Sequence, residues 1–245
     1  MLINQIRDGN AIVLVYMLPI LVLTLTVHEL CHGLAAYALG DKTAKENNRL
    51  SLNPLRHIDP MGFLLILFFG FGWAKPVGVD LSNLKKPKRD FALVAVAGPF
   101  SNFLLAFLCM VAAVAVVYAK GLGDWSDPVL AYSMSWPFLQ EGISNFSTYS
   151  VLKILMYAVS INIGLGVFNM LPVPPLDGSR LVASFLPDNL YVKYLQLGRY
   201  GMLIILAVVA FGGFSNILGG AITKMFWGIF SAAEVIVRFF YGLLT

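Results

Sequence analysis

The sequence predicts an all-α polytopic membrane protein, with about five transmembrane helices and a short re-entrant or β-hairpin segment. Of the 245 residues, 58% are hydrophobic and only 12% are charged, whereas an ordinary soluble domain has about 25% charged residues. Several apolar runs are long enough to cross a bilayer, which takes about 20 residues. The net charge of +4 is expected of basic cytoplasmic loops and does not indicate a nucleic-acid partner. We expect one integral membrane domain over residues 1–245.

The first two apolar runs predict different structures. Residues 11–39 are long enough for a transmembrane helix, whereas residues 61–73 are too short to span. Basic residues flank the second run on both sides, so a full crossing would leave positive charge on both faces of the membrane. This favours a re-entrant segment that returns to its starting side, with residues 49–52 and 77–81 as candidate strands of an extended hairpin.

The remaining apolar runs predict four further spans, at residues 91–118, 151–171, 200–211 and 217–244. For the chain after residue 184, the alternative is a single span with an interfacial amphipathic helix. The loop of residues 120–150 contains one Lys and no Arg, so the positive-inside rule puts it outside and the basic loops in the cytoplasm. The N-terminus is then outside and the C-terminus inside.

Two histidines within the first apolar run, His28 and His32, are four residues apart, and Glu29 follows the first. On a helix this spacing puts both imidazoles on one face, where they can hold one metal ion. Glu29 lies about 100° round the helix from His28, so it can reach a water on that metal without being a ligand. A packing role is the alternative, but ionisable groups at membrane depth are costly unless they are functional. The motif predicts a hydrolytic zinc site inside a membrane.

A zinc ion held by two histidines needs a third protein ligand, typically a carboxylate in hydrolytic sites. Asp177 stands apart because it follows a proline-rich stretch, residues 172–176, that cannot continue a helix. We therefore expect an unwound segment, instead of a helix, to present Asp177; a simple cytoplasmic turn is the alternative. Other carboxylates occur in the basic loops and the last apolar run: Glu46, Asp59, Asp80, Asp90 and Glu234.

Three blocks together resemble the site-2 protease family of intramembrane zinc metalloproteases: His28–His32, Gly98–Asn102 and Asn169–Gly178. Two more, Arg49–Pro60 and Gly72–Val77, resemble its compact bacterial branch. The similarity covers about residues 21–183. Since no loop approaches the roughly 50 residues of a minimal domain, we expect neither the PDZ nor the CBS domain of many relatives.

The resemblance implies roles for individual residues. His28, His32 and Asp177 would hold one zinc ion. Glu29 would be the general base, and Asn169 would position the substrate carbonyl or stabilise the oxyanion. These residues would belong to a catalytic core of about residues 11–183, followed by C-terminal helices in residues 184–245. Asn102 and His57 also match family positions, and for these two residues we expect only packing or hydrogen-bonding roles.

The resemblance also implies a substrate class and a location. Substrates would be single-span membrane proteins or signal peptides, cut in or near their transmembrane segments and held as an added strand beside residues 49–52 or 77–81. The protein would lie in the bacterial cytoplasmic membrane. The positive-inside rule puts the active site towards the cytoplasm, and control would come from the membrane core, its loops or a separate partner. Two other classes stay open: a catalytically silent regulator that binds membrane helices, and a zinc-binding or zinc-transport protein.

Overall fold

The computed structural model describes residues 11–69, 72–121, 148–201, 203, 205 and 213–243. Within these ranges the chain forms helices joined by turns and irregular segments, without a β-strand. The helices are α1 (Ala11–Ala38), α2 (Thr43–Glu46), α3 (Pro60–Phe69), α4 (Pro87–Lys120), α5 (Thr148–Asn169), α6 (Asp177–Ser184), α7 (Asp188–Gln196) and α8 (Gly213–Gly242). Short 3₁₀ helices occur at Pro54–Arg56 and Leu81–Asn83.

Four helices of the described chain are long and apolar enough to cross a membrane: Val15–Ala38, Pro87–Lys120, Ser150–Asn169 and Leu218–Gly242. They lie in α1, α4, α5 and α8, so the prediction of an all-α polytopic membrane protein is confirmed. The span predicted at residues 200–211 falls mostly outside the described residues. That span, its amphipathic alternative and the orientation of the chain across the bilayer stay predictions.

Helix α4 is the centre of the fold, because it packs against α1, α5, α6 and α8. One buried face runs along it in steps of three or four residues. The second half of this face, from Ala106 to Val117, joins α5 and α8 in the apolar core. The first half, from Val94 to Asn102, is buried against polar groups of α1. The apolar core therefore lies along the second half of α4, and the polar contacts with α1 lie along its first half.

Helix α3 lies where the sequence predicts a re-entrant segment. It has 10 residues, about 15 Å at 1.5 Å per residue, and cannot span a hydrocarbon core of about 30 Å. The chain beyond it returns to its beginning, where the backbones of Gly62 and Gly72 touch so closely that an added Cβ on either would collide with backbone of the other segment. Ile58 and Ala74 form an antiparallel bridge beside this contact. The predicted short segment that returns to its start is therefore present.

The predicted hairpin between residues 49–52 and 77–81 is wrong. The backbone groups that its ladder needs are bonded elsewhere: the carbonyl of Ser51 accepts from the His57 ring, and the N–H of Val77 donates to Glu29. The side chain of Arg49 joins the two segments instead. Its guanidinium donates to the carbonyls of Lys75 and Pro76, with N···O distances of 2.5 and 3.3 Å.

We call residues 74–80 the strap. Its far end is held by Asp41, which is fully buried just beyond α1. The Asp41 carboxylate accepts from the backbone N–H of Asp80 at 2.9 Å, the side chain of Asn83 at 3.0 Å, and the N–H and hydroxyl of Thr43. Burial opposes ionisation, but these donors together hold the pKa of Asp41 below its usual value. The carboxylate thus fixes one end of the strap to α1.

Replacing Asp41 by Ala is expected to lower the free energy of unfolding by about 1–3 kcal/mol, because buried donors lose their acceptor. Since the folded pKa lies below the unfolded value of about 3.9, the stabilisation is present above that value and is lost as pH falls through the folded pKa. Thermal unfolding in detergent of wild type and Asp41→Ala measures this difference at each pH.

Asp188→Ala is the control, because the exposed Asp188 pairs only at the surface with Lys88 and such pairs contribute little. A difference between wild type and Asp41→Ala that stays constant as the solution is acidified would contradict the role of the Asp41 carboxylate.

Candidate metal centre

Three buried side chains converge between α1 and the start of α6: His28, His32 and Asp177. The Nε2 atoms of the two histidines are 3.1 Å apart. Each lies 3.2 Å from the same carboxylate oxygen, Oδ2 of Asp177. The three atoms form a nearly equilateral triangle of potential ligands, so the structure brings together the three residues that the sequence proposes as metal ligands.

The triangle fits a zinc ion. With Zn–N and Zn–O distances of about 2.0–2.2 Å, tetrahedral geometry separates neighbouring ligand atoms by roughly 3.3 Å, close to the 3.1 and 3.2 Å observed. Two imidazoles and one carboxylate are also the donor set of hydrolytic zinc sites that keep a fourth position open. A metal ion could be held by three or more His, Cys, Asp or Glu side chains. Among the described residues, His28, His32 and Asp177 are the one set of this kind.

The other ring nitrogen of each histidine contacts α4. Nδ1 of His32 lies 2.7 Å from the carbonyl oxygen of Val94, and Nδ1 of His28 lies 3.0 Å from the side-chain amide of Asn102. Val94 and Asn102 are eight residues apart, two steps of four along one face of α4. This face therefore fixes the orientation of both rings.

Gly98 lies between these two contacts and lets α1 approach α4. A Cβ atom at Gly98 would lie 2.6 Å from Cε1 of His32 and 2.7 Å from Cε1 of His28. Both distances are shorter than carbon–carbon van der Waals contact, about 3.5–4.0 Å. The site thus requires a residue without a side chain at this position.

Asp177 is the first residue of α6, so its predicted presentation by an unwound segment is wrong. The proline-rich chain forms turns that end before Asp177, with the N–H of Leu176 donating to the carbonyl of Val173. The carboxylate then lies at a helix N-terminus, where the helix dipole favours negative charge. Its other oxygen, Oδ1, is 3.6 Å from the guanidinium of Arg180, one turn further along α6.

Tight backbone contacts hold the turn that precedes Asp177. An added Cβ on Gly178 would collide with the backbone of Met170, and one on Gly201 would collide with the carbonyl of Pro174. The hydroxyl of Tyr194 donates to the carbonyl of Pro172 at 2.6 Å. The C-terminal part of the chain, in which the sequence offered no motif, therefore supports a predicted metal ligand.

Glu29 is buried and faces the strap. Its Oε2 accepts from the backbone N–H of Val77 at 2.9 Å. Since Arg49 and Asp41 hold the strap on either side of Val77, this donor is fixed relative to α1. The strap therefore orients one carboxylate oxygen of the predicted base.

Two other predicted residues form their described hydrogen bonds with residues outside the triangle. The amide of Asn169, at the end of α5, donates to the carbonyl of Leu165 at 3.1 Å. The ring of His57 bonds to Ser51. Sequence reasoning gave Asn102 only a general role and missed Arg180, although its spacing of three from Asp177 was a usable signal. Nothing local indicated the contact of Val77 with Glu29.

Comparisons with known proteins identify a family and several similar proteins. A sequence profile of Peptidase family M50 matches residues 16–209. The chain is 37% identical over 193 residues to "Putative zinc metalloprotease YwhC" of Bacillus subtilis, covering 79% of each protein. It is 27% identical over 195 residues to "Putative zinc metalloprotease Rip2" of Mycolicibacterium smegmatis, covering 76% of this chain and 63% of that relative. No solved structure matches the chain significantly.

Gly98→Ala is expected to weaken zinc binding and to lower the free energy of unfolding by about 1–3 kcal/mol, because the added methyl group overpacks the contact with the histidine rings. Metal titration and thermal unfolding in detergent measure the two effects.

Gly164→Ala in α5 is the matched control, since a Cβ there meets no atom within 4 Å. It should leave zinc binding unchanged and keep or raise stability, because Ala is favoured over Gly inside a helix by roughly 0.5–1 kcal/mol. Equal effects of the two substitutions would contradict the special role of Gly98.

Proposed function

Because the chain belongs to Peptidase family M50, we propose that it is an intramembrane endopeptidase that hydrolyses peptide bonds in or near the transmembrane segments of other membrane proteins. Family membership makes it a zinc metalloprotease with Zn²⁺ as its cofactor. The proposal of intramembrane cleavage rests on the triangle of His28, His32 and Asp177. The two histidines and Glu29 belong to α1, which is long and apolar enough to span a membrane.

In this proposal the two Nε2 atoms of His28 and His32 and Oδ2 of Asp177 are the zinc ligands. A zinc ion supplies Lewis acidity, which acidifies water and polarises a substrate carbonyl. Asp177 would offer Oδ2 to the metal, while its other oxygen, Oδ1, lies 3.6 Å from the guanidinium of Arg180. Because its two oxygens have different partners, Asp177 is proposed to bind zinc through Oδ2 alone.

Glu29 is the proposed general base. It follows His28 directly on α1, so its carboxylate lies beside the metal ligands without being one of them. With Oε2 bonded to the N–H of Val77, the remaining oxygen takes a proton from the attacking water and passes it to the leaving amine. Such proton transfer by a positioned side chain contributes about 10²- to 10⁴-fold to the rate.

The substrate is proposed to be a single-span membrane protein or a signal peptide, unwound where it is cut. Asn169 is proposed to help position the substrate carbonyl or stabilise the oxyanion, through an amide that now donates to Leu165.

The protein is proposed to lie in the bacterial cytoplasmic membrane with its active site towards the cytoplasm. Four basic residues lie just before α4 or in its first turn, at the end of the helix that contributes to the metal centre: Lys85, Lys86, Lys88 and Arg89. Their position supports a cytoplasmic location for this end. A separate membrane partner is the proposed source of regulation.

The central test uses two variants that separate a base from a metal ligand. Glu29→Gln should keep zinc and lose cleavage of a single-span test substrate by at least about 10²-fold, because the amide cannot take a proton. Asp177→Ala should lose both zinc and cleavage. Zinc content by mass spectrometry and cleavage in lipid bilayers measure the two effects.

Glu46→Gln, an exposed substitution in α2, is the control and should keep zinc and activity. Normal cleavage by Glu29→Gln would refute the assignment of the base, and full zinc content in Asp177→Ala would refute that ligand. Substrate capture without cleavage by wild type would favour a silent regulator. Zinc flux into vesicles that persists in Glu29→Gln would favour a transporter.

A further inference from the structure

We propose that Asn102 is a positioning residue that selects the metal-binding tautomer of His28, by accepting a hydrogen bond from Nδ1–H through its side-chain oxygen. Asn102 is fully buried in α4, and its amide lies 3.0 Å from Nδ1 of His28. The inference rests on the proposed function, because it concerns one of the proposed zinc ligands.

His32 shows what the metal centre requires of its histidines. Its Nδ1 lies 2.7 Å from the carbonyl oxygen of Val94, which can only accept a hydrogen bond. The proton of the neutral ring must therefore be on Nδ1, which leaves Nε2 free to bind metal. The backbone of α4 thus sets the tautomer of His32 without a side chain.

His28 needs the same tautomer, because its Nε2 is the atom that faces Asp177 and His32 at 3.2 and 3.1 Å. Its partner on α4 is a side-chain amide, which has a donor end and an acceptor end. In this structure the amide nitrogen lies towards Nδ1, an orientation that requires the ring proton on Nε2, from which it is donated to Asp177. Rotating the amide by 180° brings its oxygen to Nδ1 and frees Nε2.

The contacts around Asn102 allow either end of its amide to face Nδ1 of His28. Its oxygen is buried and has no hydrogen-bond partner among the described residues, so rotation breaks no bond of that atom. Partners on the second ring nitrogen commonly orient metal-binding histidines, and their loss weakens metal affinity about 10- to 100-fold. Asn102 holds that position for His28 as the Val94 carbonyl does for His32.

The test compares Asn102→Leu, which keeps the size but removes the acceptor, with Asn102→Asp, which can only accept. Zinc affinity is measured on the full chain in detergent by competition with a chromophoric chelator. Asn102→Leu should bind zinc about 10- to 100-fold more weakly than wild type. Asn102→Asp should bind within a few-fold of wild type, or more tightly, since a carboxylate is a common partner of zinc-bound histidine.

A spectroscopic measurement reports the tautomer itself. The chain contains three histidines, so ¹⁵N labelling of histidine rings gives few signals. In the zinc-loaded wild type, Nδ1 of His28 should carry a hydrogen-bonded proton. In Asn102→Leu the signal of that proton should shift or exchange rapidly, while the Nδ1 signal of His32 stays unchanged.

Asn162→Leu is the matched control. Asn162 is also a buried helical asparagine whose amide oxygen lacks a partner in the described chain, but its amide donates to Thr24 and to the carbonyl of Ala158. It should bind zinc as wild type does. Equal losses of affinity in Asn162→Leu and Asn102→Leu, or equal losses in both Asn102 variants, would overturn the inference.

These outcomes are separate from those of the proposed function. Weaker zinc binding by Asn102→Leu with rescue by Asn102→Asp supports the inference even if the wild type cleaves no test substrate. Cleavage by wild type together with normal zinc affinity and an unchanged His28 signal in Asn102→Leu overturns the inference and leaves the protease assignment standing.

Discussion

The close approach of α1 to α4 at Gly98 is the constraint on which the metal centre depends. Because Gly98 has no side chain, the rings of His28 and His32 pack directly against the α4 backbone. Val94 and Asn102, one turn to either side, can then reach the second nitrogen of each ring. A wider separation would break both contacts at once, so one stripe of α4 spaced by four residues determines how α1 presents its two imidazoles.

The base and the third ligand depend on irregular chain that is fixed by polar contacts. Arg49 and Asp41 hold the strap, which donates the Val77 N–H to Glu29. The turn before Asp177 is likewise packed against the chain beyond α7. Non-helical backbone at membrane depth is tolerated where protein satisfies or buries its polar groups. The fold therefore combines rigid helices, which align the histidines, with two anchored irregular segments.

Much of this arrangement was predictable because it depends on local chemistry. Hydropathy and length identified the long helices, and the spacing of His28 and His32 identified half of the site. Asp177 was found because prolines end the preceding helix, but its place at the start of a new helix was not foreseen. The predicted hairpin failed because its backbone groups bond to partners distant in sequence. The contact of Asn102 with His28 spans 74 residues, and no local pattern indicates which helix faces which.

The proposed metal centre holds one zinc ion between α1 and α6, bound by two imidazoles and one carboxylate. X-ray absorption at the zinc edge, on the purified protein in detergent, tests it most directly. We expect one zinc per chain with nitrogen and oxygen ligands at about 2.0–2.2 Å, including two imidazoles. A sulfur ligand at about 2.3 Å, which Cys31 between the two histidines could supply, or a spectrum with fewer than two imidazoles, would contradict it.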